Sequence, residues 1–231
     1  MNPRERIYVA LDTGDLERAS ALVAATAGLV GGFKVGKEFF TAHGPQGLRR
    51  VVGAAPLFLD LKFHDIPNTV ASAIRAAQSL SPRFLTLHAS GGPGMLRAAA
   101  TAAGESASAR PQLLAVTVLT SLDDEDLSAI GQHPPVEAQA ARLGRLALDC
   151  GIDGLVCSPL EVAMLRGLLP PECKLMVPGV RPSWAESGDQ KRVMTPADTL
   201  ALGADYLVIG RPITAAADPK AAARRILDEI S

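Results

Sequence analysis

Asp60, Lys62 and Asp65 fall within the stretch Asp60-Leu61-Lys62-Phe63-His64-Asp65-Ile66-Pro67-Asn68-Thr69. The run before it, Ala54-Ala55-Pro56-Leu57-Phe58-Leu59, is apolar and reads as a buried strand. Residues two apart in a strand project to one face, so Asp60 and Lys62 are expected to point into one site. Asp65 falls past the strand end, on a loop closed by Pro67. Two carboxylates then bracket one ammonium, and nearby negative charge favours the protonated form of a lysine. The spacing therefore describes an acid holding a proton ready to donate. It is also what a structural ion pair at a strand end looks like, so the rest of the chain must decide.

The elements that would position these residues alternate along the chain. Strand-like apolar runs are Ile7–Leu11, Gly32–Val35, Leu57–Leu61, Phe84–Leu87, Leu113–Leu119, Gly154–Val156, Lys174–Val177 and Tyr206–Ile209. Between them lie stretches rich in Ala, Leu, Arg and Glu, typical of helices, as at Asp15–Ala27, Pro67–Ser79, Pro93–Ala103, Pro135–Asp149 and Pro196–Leu202. Asp218-Pro219 opens a last helix, Lys220–Ile230, as an N-cap followed by proline at the first helical position. Eight strands alternating with helices, without a linker or low-complexity break, predict a parallel α/β fold, a single-domain (β/α)8 TIM barrel over residues 1–231.

Composition excludes several partners. The chain has 231 residues, a net charge of −1 and 48% hydrophobic residues, which gives ample core for one barrel. Balanced charge and 4% aromatics supply neither the Lys/Arg clusters nor the stacking platforms that nucleic acids require. No run of eighteen apolar residues is present to span a membrane, and the N-terminus carries no signal-peptide core. Cys150, Cys157 and Cys173 lack metal-type spacing and read as reduced, buried thiols of a cytoplasmic protein.

Active sites of such barrels lie at the C-terminal ends of the strands. The polar residues expected there are Asp12, Lys34, Asp60, Lys62, Asp65, His88, Thr120, Ser121, Arg181 and Arg211. A packed core alone does not call for so many charges at one mouth. The last two strand ends, Val177-Pro178-Gly179 and Ile209-Gly210-Arg211, add small residues that let backbone N–H groups approach an anion, plus a planar guanidinium. Together they predict phosphate binding, although each glycine alone could be an ordinary turn residue. The polar segment between Gly179 and Gln190 is longer than a simple turn and reads as a lid, with Arg181 and Gln190 able to reach a phosphate, or else as a solvated loop. His64 and His88 are read as structural, and Asp123-Asp124-Glu125-Asp126 as a solvated helix start rather than a metal site.

At this point the chain resembles the orotidine 5′-monophosphate decarboxylase family over essentially its whole length. The resemblance rests on Val9-Ala10-Leu11-Asp12, Phe33-Lys34-Val35-Gly36, the Leu59–Val70 segment and Leu87-His88-Ala89. It continues through Val118-Leu119-Thr120-Ser121, Pro178–Pro182, Gly188–Arg192 and Val208–Pro212. The Asp-x-Lys-x-x-Asp core is shared with a wider group of barrels; its combination with Lys34, the Gly-Asp-Gln-Lys segment and Ile-Gly-Arg-Pro is far more specific. The resemblance implies decarboxylation of orotidine 5′-monophosphate to UMP, the last step of pyrimidine biosynthesis, without cofactor or metal. It implies that Lys62 protonates C6 of the pyrimidine and that Asp60 lies against the substrate carboxylate. Lys34 and Asp65 would complete an alternating Lys-Asp-Lys-Asp array. In a homodimer, Asp65 and Thr69 would reach the partner's site. Asp12 and Lys34 would meet the ribose, while Thr120 and Ser121 would meet the pyrimidine. Ile66 and Pro178 would belong to the contact set, and Arg181, Gln190, Gly210 and Arg211 would grip the phosphate.

Two alternatives stay open on sequence. Sugar-phosphate relatives share the core motif but use a divalent metal, with an acidic residue on the second strand where this chain has Lys34. A non-catalytic phosphate- or nucleotide-binding barrel would tolerate loss of Lys62 or Asp60, yet all four members of the array are present.

Overall fold

The computed structural model describes residues 1–105, 110–185 and 194–231. Among them, β1 (Ile7–Ala10), β2 (Gly32–Gly36), β3 (Leu57–Phe63), β4 (Phe84–His88), β5 (Gln112–Val116), β6 (Gly154–Val156), β7 (Lys174–Pro178) and β8 (Tyr206–Ile209) pair in parallel, each with the next. β8 pairs back onto β1, with Val9 opposite Ile209, and closes the barrel. The strands are short, apolar and covered on both faces, as a closed parallel sheet requires.

Helices α1 (Leu16–Thr26), α2 (Lys37–Val52), α3 (Pro67–Gln78), α4 (Gly92–Gly104), α5 (Asp124–Ala129), α6 (Val136–Asp149), α7 (Val162–Leu168), α8 (Pro196–Ala201), α9 (Arg211–Thr214) and α10 (Pro219–Glu229) follow the strands. Their starts follow from local chemistry. Asp15 accepts from the Glu17 and Arg18 N–H groups, and Asp218 from that of Ala221, with Pro219 next as the sequence predicts. The acidic run at 123–126 is a capping box in which Asp123 and Asp126 bond each other's backbone. It is a helix start and not a ligand set.

Two cores result. Leucine, valine, isoleucine and alanine fill the space between strands and helices. A smaller cluster, Tyr8, Ala10, Phe58, Phe84, Leu114, Met176, Tyr206 and Val208, fills the barrel itself. Its rings meet edge to face, with Tyr8 and Phe84 centroids 5.5 Å apart and Phe84 and Tyr206 4.9 Å apart. Arg83 closes the floor, its guanidinium 5.2 Å from the Phe84 centroid and donating to the Tyr206 hydroxyl at 3.1 Å. Asp60 stands two residues beyond Phe58, and Thr86 two beyond Phe84, so the polar layer rests directly on this plug.

Two strand ends differ from expectation by more than one residue. β5 stops at Val116, not Leu119, because its neighbour β6 ends at Val156; the Thr117 N–H takes the last carbonyl, that of Val156, at 3.3 Å. Val118, Leu119 and Thr120 are thereby released to the barrel mouth. β3 instead runs on to Phe63, with a break in its register on β4 between Leu59 and Phe63.

The plug should carry much of the fold's stability. Phe84→Ala is expected to cost about 3–5 kcal/mol of unfolding free energy, read from denaturant midpoints. A loss below about 1 kcal/mol would mean that the floor repacks around the missing ring.

Candidate active site

Asp60 is the centre of the site. It is buried midway along β3, and three groups converge on it. The Lys62 ammonium lies 2.8 Å from both carboxylate oxygens. Lys34, on β2, lies 3.5 Å from Oδ2 of Asp60 and donates to Oδ1 of Asp12 at 2.7 Å. The Thr86 hydroxyl, on β4, donates to Oδ1 of Asp60 at 2.9 Å. Burial alone would raise the Asp60 pKa, but the charges of Lys34 and Lys62 and the hydrogen bonds from Lys62 and Thr86 outweigh it. The carboxyl is held below the usual carboxylate range and is ionised at neutral pH.

Asp60 and Lys62 do share one site, but by a different route from simple strand alternation. Lys62 has φ +52°, in the left-handed region that a side chain disfavours, and it sits within the register break between β3 and β4. Its N–H finds the Thr86 hydroxyl at 2.9 Å. Gly36 leaves room beside Lys34 and Asp12. A Cβ there would come within 3.2 Å of the Lys34 ammonium and 3.3 Å of Oδ1 of Asp12, crowding that pair.

These charges form one side of a cavity of about 430 Å³ at the C-terminal ends of the strands. Its floor is apolar, from Ala10, Phe58, Val116, Val156 and Val208. The far side is formed by Pro178, Gly179 and Arg181 after β7 and by Gly210 and Arg211 after β8. The chain turns at Gly179 with φ +80°, a conformation open to glycine. The buried Arg181 donates from Nη1 to the Val180 carbonyl, and its N–H reaches the Met194 carbonyl at 2.9 Å. That bond ties the two sides of the segment after β7 together. Cys157 also lines the cavity, but burial pushes its thiol well above the ordinary range, so it remains a neutral SH group.

Of the residues singled out from sequence, Asp12, Lys34, Asp60, Lys62, Thr120, Pro178, Arg181, Gly210 and Arg211 line this one cavity. Ser121 is exposed and outside its lining. Asp65, Ile66 and Thr69 are exposed as well, and the Asp65 carboxylate accepts from the Ile66 N–H at 2.6 Å rather than turning to Lys62. One chain therefore assembles Lys34, Asp60 and Lys62, and leaves Asp65 outside. Gln190 lies outside the described residues. Thr86 and Gly36 were missed as site residues; the signal for Thr86 was a lone hydroxyl within the apolar strand Phe84-Leu85-Thr86-Leu87.

Of the two histidines read from sequence as structural, His64 is exposed and His88 half-buried. Their rings lie 5.4 Å apart. Burial, then the charges of His64, Lys37 and Lys62, push the His88 pKa down to about 4 against an opposing pull from Asp60.

Comparisons with known proteins agree with one another. The model of the orotidine 5′-phosphate decarboxylase / HUMPS family matches residues 5–226. A protein of Paramagnetospirillum magneticum named orotidine 5′-phosphate decarboxylase is 54% identical over 229 residues, covering 97% of each chain. One of the same name from Moorella thermoacetica is 52% identical over 236 residues, covering 100% of this chain and 94% of its own. The crystal structure of orotidine 5′-phosphate decarboxylase from Lactobacillus acidophilus superposes with a TM-score of 0.86 at 35% identity, covering 97% of this chain and 98% of that one.

The depressed His88 pKa has a consequence for stability. Unfolded, the ring takes a proton near pH 6.5; folded, it does so only near 4. Between these values the unfolded chain binds more protons, so stability falls as pH drops from about 6.5 towards about 4. Unfolding midpoints across that window should fall less steeply for His88→Asn than for wild type. Identical slopes would show that His88 protonates as readily in the fold as outside it.

Proposed function

The chain belongs to the orotidine 5′-phosphate decarboxylase / HUMPS family, and on that premise we propose that it converts orotidine 5′-monophosphate to UMP and CO2, a step of pyrimidine biosynthesis, without a cofactor. The observation that carries this reading is a buried carboxylate, Asp60, fixed between Lys34 and Lys62 across a cavity from Arg181 and Arg211. A planar ring suits the apolar floor, and an anionic phosphate suits the two arginines and the small residues Gly179 and Gly210. Asp12 and Lys34, which line the same cavity, would meet the ribose. Thr120 and Ser121 would meet the pyrimidine, and Pro178 would belong to the contact set.

Decarboxylation breaks the C6–carboxylate bond and leaves an electron pair on a ring carbon, with no cofactor to absorb it. Lys62 supplies positive charge where that pair develops, then a proton to C6, which it regains from water. Asp60, ionised against the substrate carboxylate, raises the ground state, and the repulsion is relieved as neutral CO2 leaves. Phosphate contacts, made far from the reacting carbon and including Gln190, supply the binding energy that holds the two carboxylates together. Lys34 puts an ammonium between Asp12 and Asp60, a place that a divalent cation could share only against its repulsion.

A homodimer is part of the proposal. Asp65 and Thr69, exposed beside Ile66 on the loop and helix start after β3, would complete the partner's array. A cytoplasmic location is proposed too; three unpaired cysteines support it, and among the described residues no helix is long and apolar enough to cross a membrane.

The experiment is a spectrophotometric assay with orotidine 5′-monophosphate in excess EDTA. Rapid loss of substrate absorbance is expected, falling about 10²–10⁴-fold in Lys62→Ala. No turnover in EDTA but Mg²⁺-dependent activity on a sugar phosphate would move the chain to the metal-dependent relatives. Binding of UMP without turnover would make it a binding barrel. Arg211→Ala should raise KM about tenfold to a hundredfold, with a milder rise in Gln190→Ala. A near-normal kcat/KM in Arg211→Ala would remove the phosphate assignment.

A further inference from the structure

Thr86 is fully buried on β4, one layer above the aromatic plug and directly beneath the charged mouth. Its single hydroxyl makes two bonds at once. It donates its proton to Oδ1 of Asp60 at 2.9 Å, and its oxygen accepts the N–H of Lys62 at 2.9 Å. The second bond stands where a strand ladder would have placed a carbonyl, because the pairing of β3 with β4 lapses between Leu59 and Phe63. The same residue, Lys62, is one of two non-glycine residues with positive φ among those described. A disfavoured backbone persists only where its surroundings hold it.

We propose that Thr86 is a positioning residue for the reaction: through one hydroxyl it fixes the left-handed backbone of Lys62 and the orientation of the Asp60 carboxylate, and so the line along which the proton is delivered. This inference rests on the decarboxylase reading above. The geometry explains why one small group does both tasks. The hydroxyl has one donor and two lone pairs, and the buried site lets it spend the donor on the ionised carboxylate and a lone pair on the amide. Valine at this position keeps the shape, leaves the Lys62 N–H without its acceptor and takes one of three partners from Asp60. Serine keeps the oxygen.

Thr86→Val is expected to lower kcat about 10- to 100-fold, the loss that follows from a misplacement of about 1 Å at the reacting group. KM should change little, because the phosphate contacts lie across the cavity. The acid limb of the kcat/KM profile should move to higher pH, since Asp60 loses a hydrogen bond that favours its ionised form. Thr86→Ser should recover most of the rate. A merely structural role would lower the unfolding midpoint and the amount of active enzyme, but would leave kcat per folded site and the pH profile unmoved. If Thr86→Val does not fold, Thr86→Ala serves in its place.

A crystal structure of the variant reads the positioning without turnover. Lys62 should leave the left-handed region, and its ammonium should leave the 2.8 Å contact with Asp60. An unchanged Lys62 overturns the inference whatever the rate, and so does a displaced Lys62 with unchanged kcat. If wild-type protein does not decarboxylate orotidine 5′-monophosphate, the functional reading fails, while the structure of the variant still decides whether Thr86 positions Lys62.

Discussion

A carboxylate buried at the top of a barrel core is unfavourable unless it is paired and hydrogen-bonded. Asp60 meets that condition with two ammonium groups and one hydroxyl, each from a different part of the sheet: Lys34 on β2, Lys62 on its own strand and Thr86 on β4. Remove one partner and the others are left with an ill-compensated charge, so the group acts as a unit. Much of the local architecture can be read as the means of holding it together. The register break frees Lys62 to bend inward, Gly36 leaves room for Lys34 against Asp12, and the aromatic plug gives the charged layer a rigid base.

The barrel separates stability from chemistry along its axis. Tyr8, Phe58, Phe84 and Tyr206 fill the interior with edge-to-face contacts, so no polar group is needed there apart from the ring hydroxyls and Arg83. Above that layer, residues from seven strands or their following loops meet in one cavity. Asymmetry across the cavity is what gives it direction. Acid and ammonium groups crowd the side of β1 to β3, and arginines and small residues stand at β7 and β8.

Much of this was legible in the sequence. The strand count, the alternation with helices and the charged strand ends were enough to place Lys34, Asp60, Lys62, Arg181 and Arg211 at one mouth. The chemistry of those residues is written in their types, and their convergence follows from the topology. What was not legible depended on local backbone. Alternation predicted the Asp60–Lys62 pairing, but the pair is actually made through a left-handed residue at an irregular register, which no pattern of hydrophobicity encodes. Thr86 was missed because a threonine in a strand is ordinary; only the three-dimensional neighbours make its hydroxyl important. Asp65 was expected beside Lys62, and within one chain its carboxylate bonds the Ile66 N–H instead.

The central claim is that Asp60 raises the ground state of the bound substrate and is not a binding contact. The direct measurement is substrate affinity and turnover of Asp60→Asn, taken separately by equilibrium binding of orotidine 5′-monophosphate and by single-turnover kinetics. Removing a negative charge that faces an anionic substrate beside two lysines should leave affinity equal or tighter, while the rate of decarboxylation collapses. Affinity that falls in step with an otherwise modest change in rate would contradict the account and make Asp60 a substrate contact.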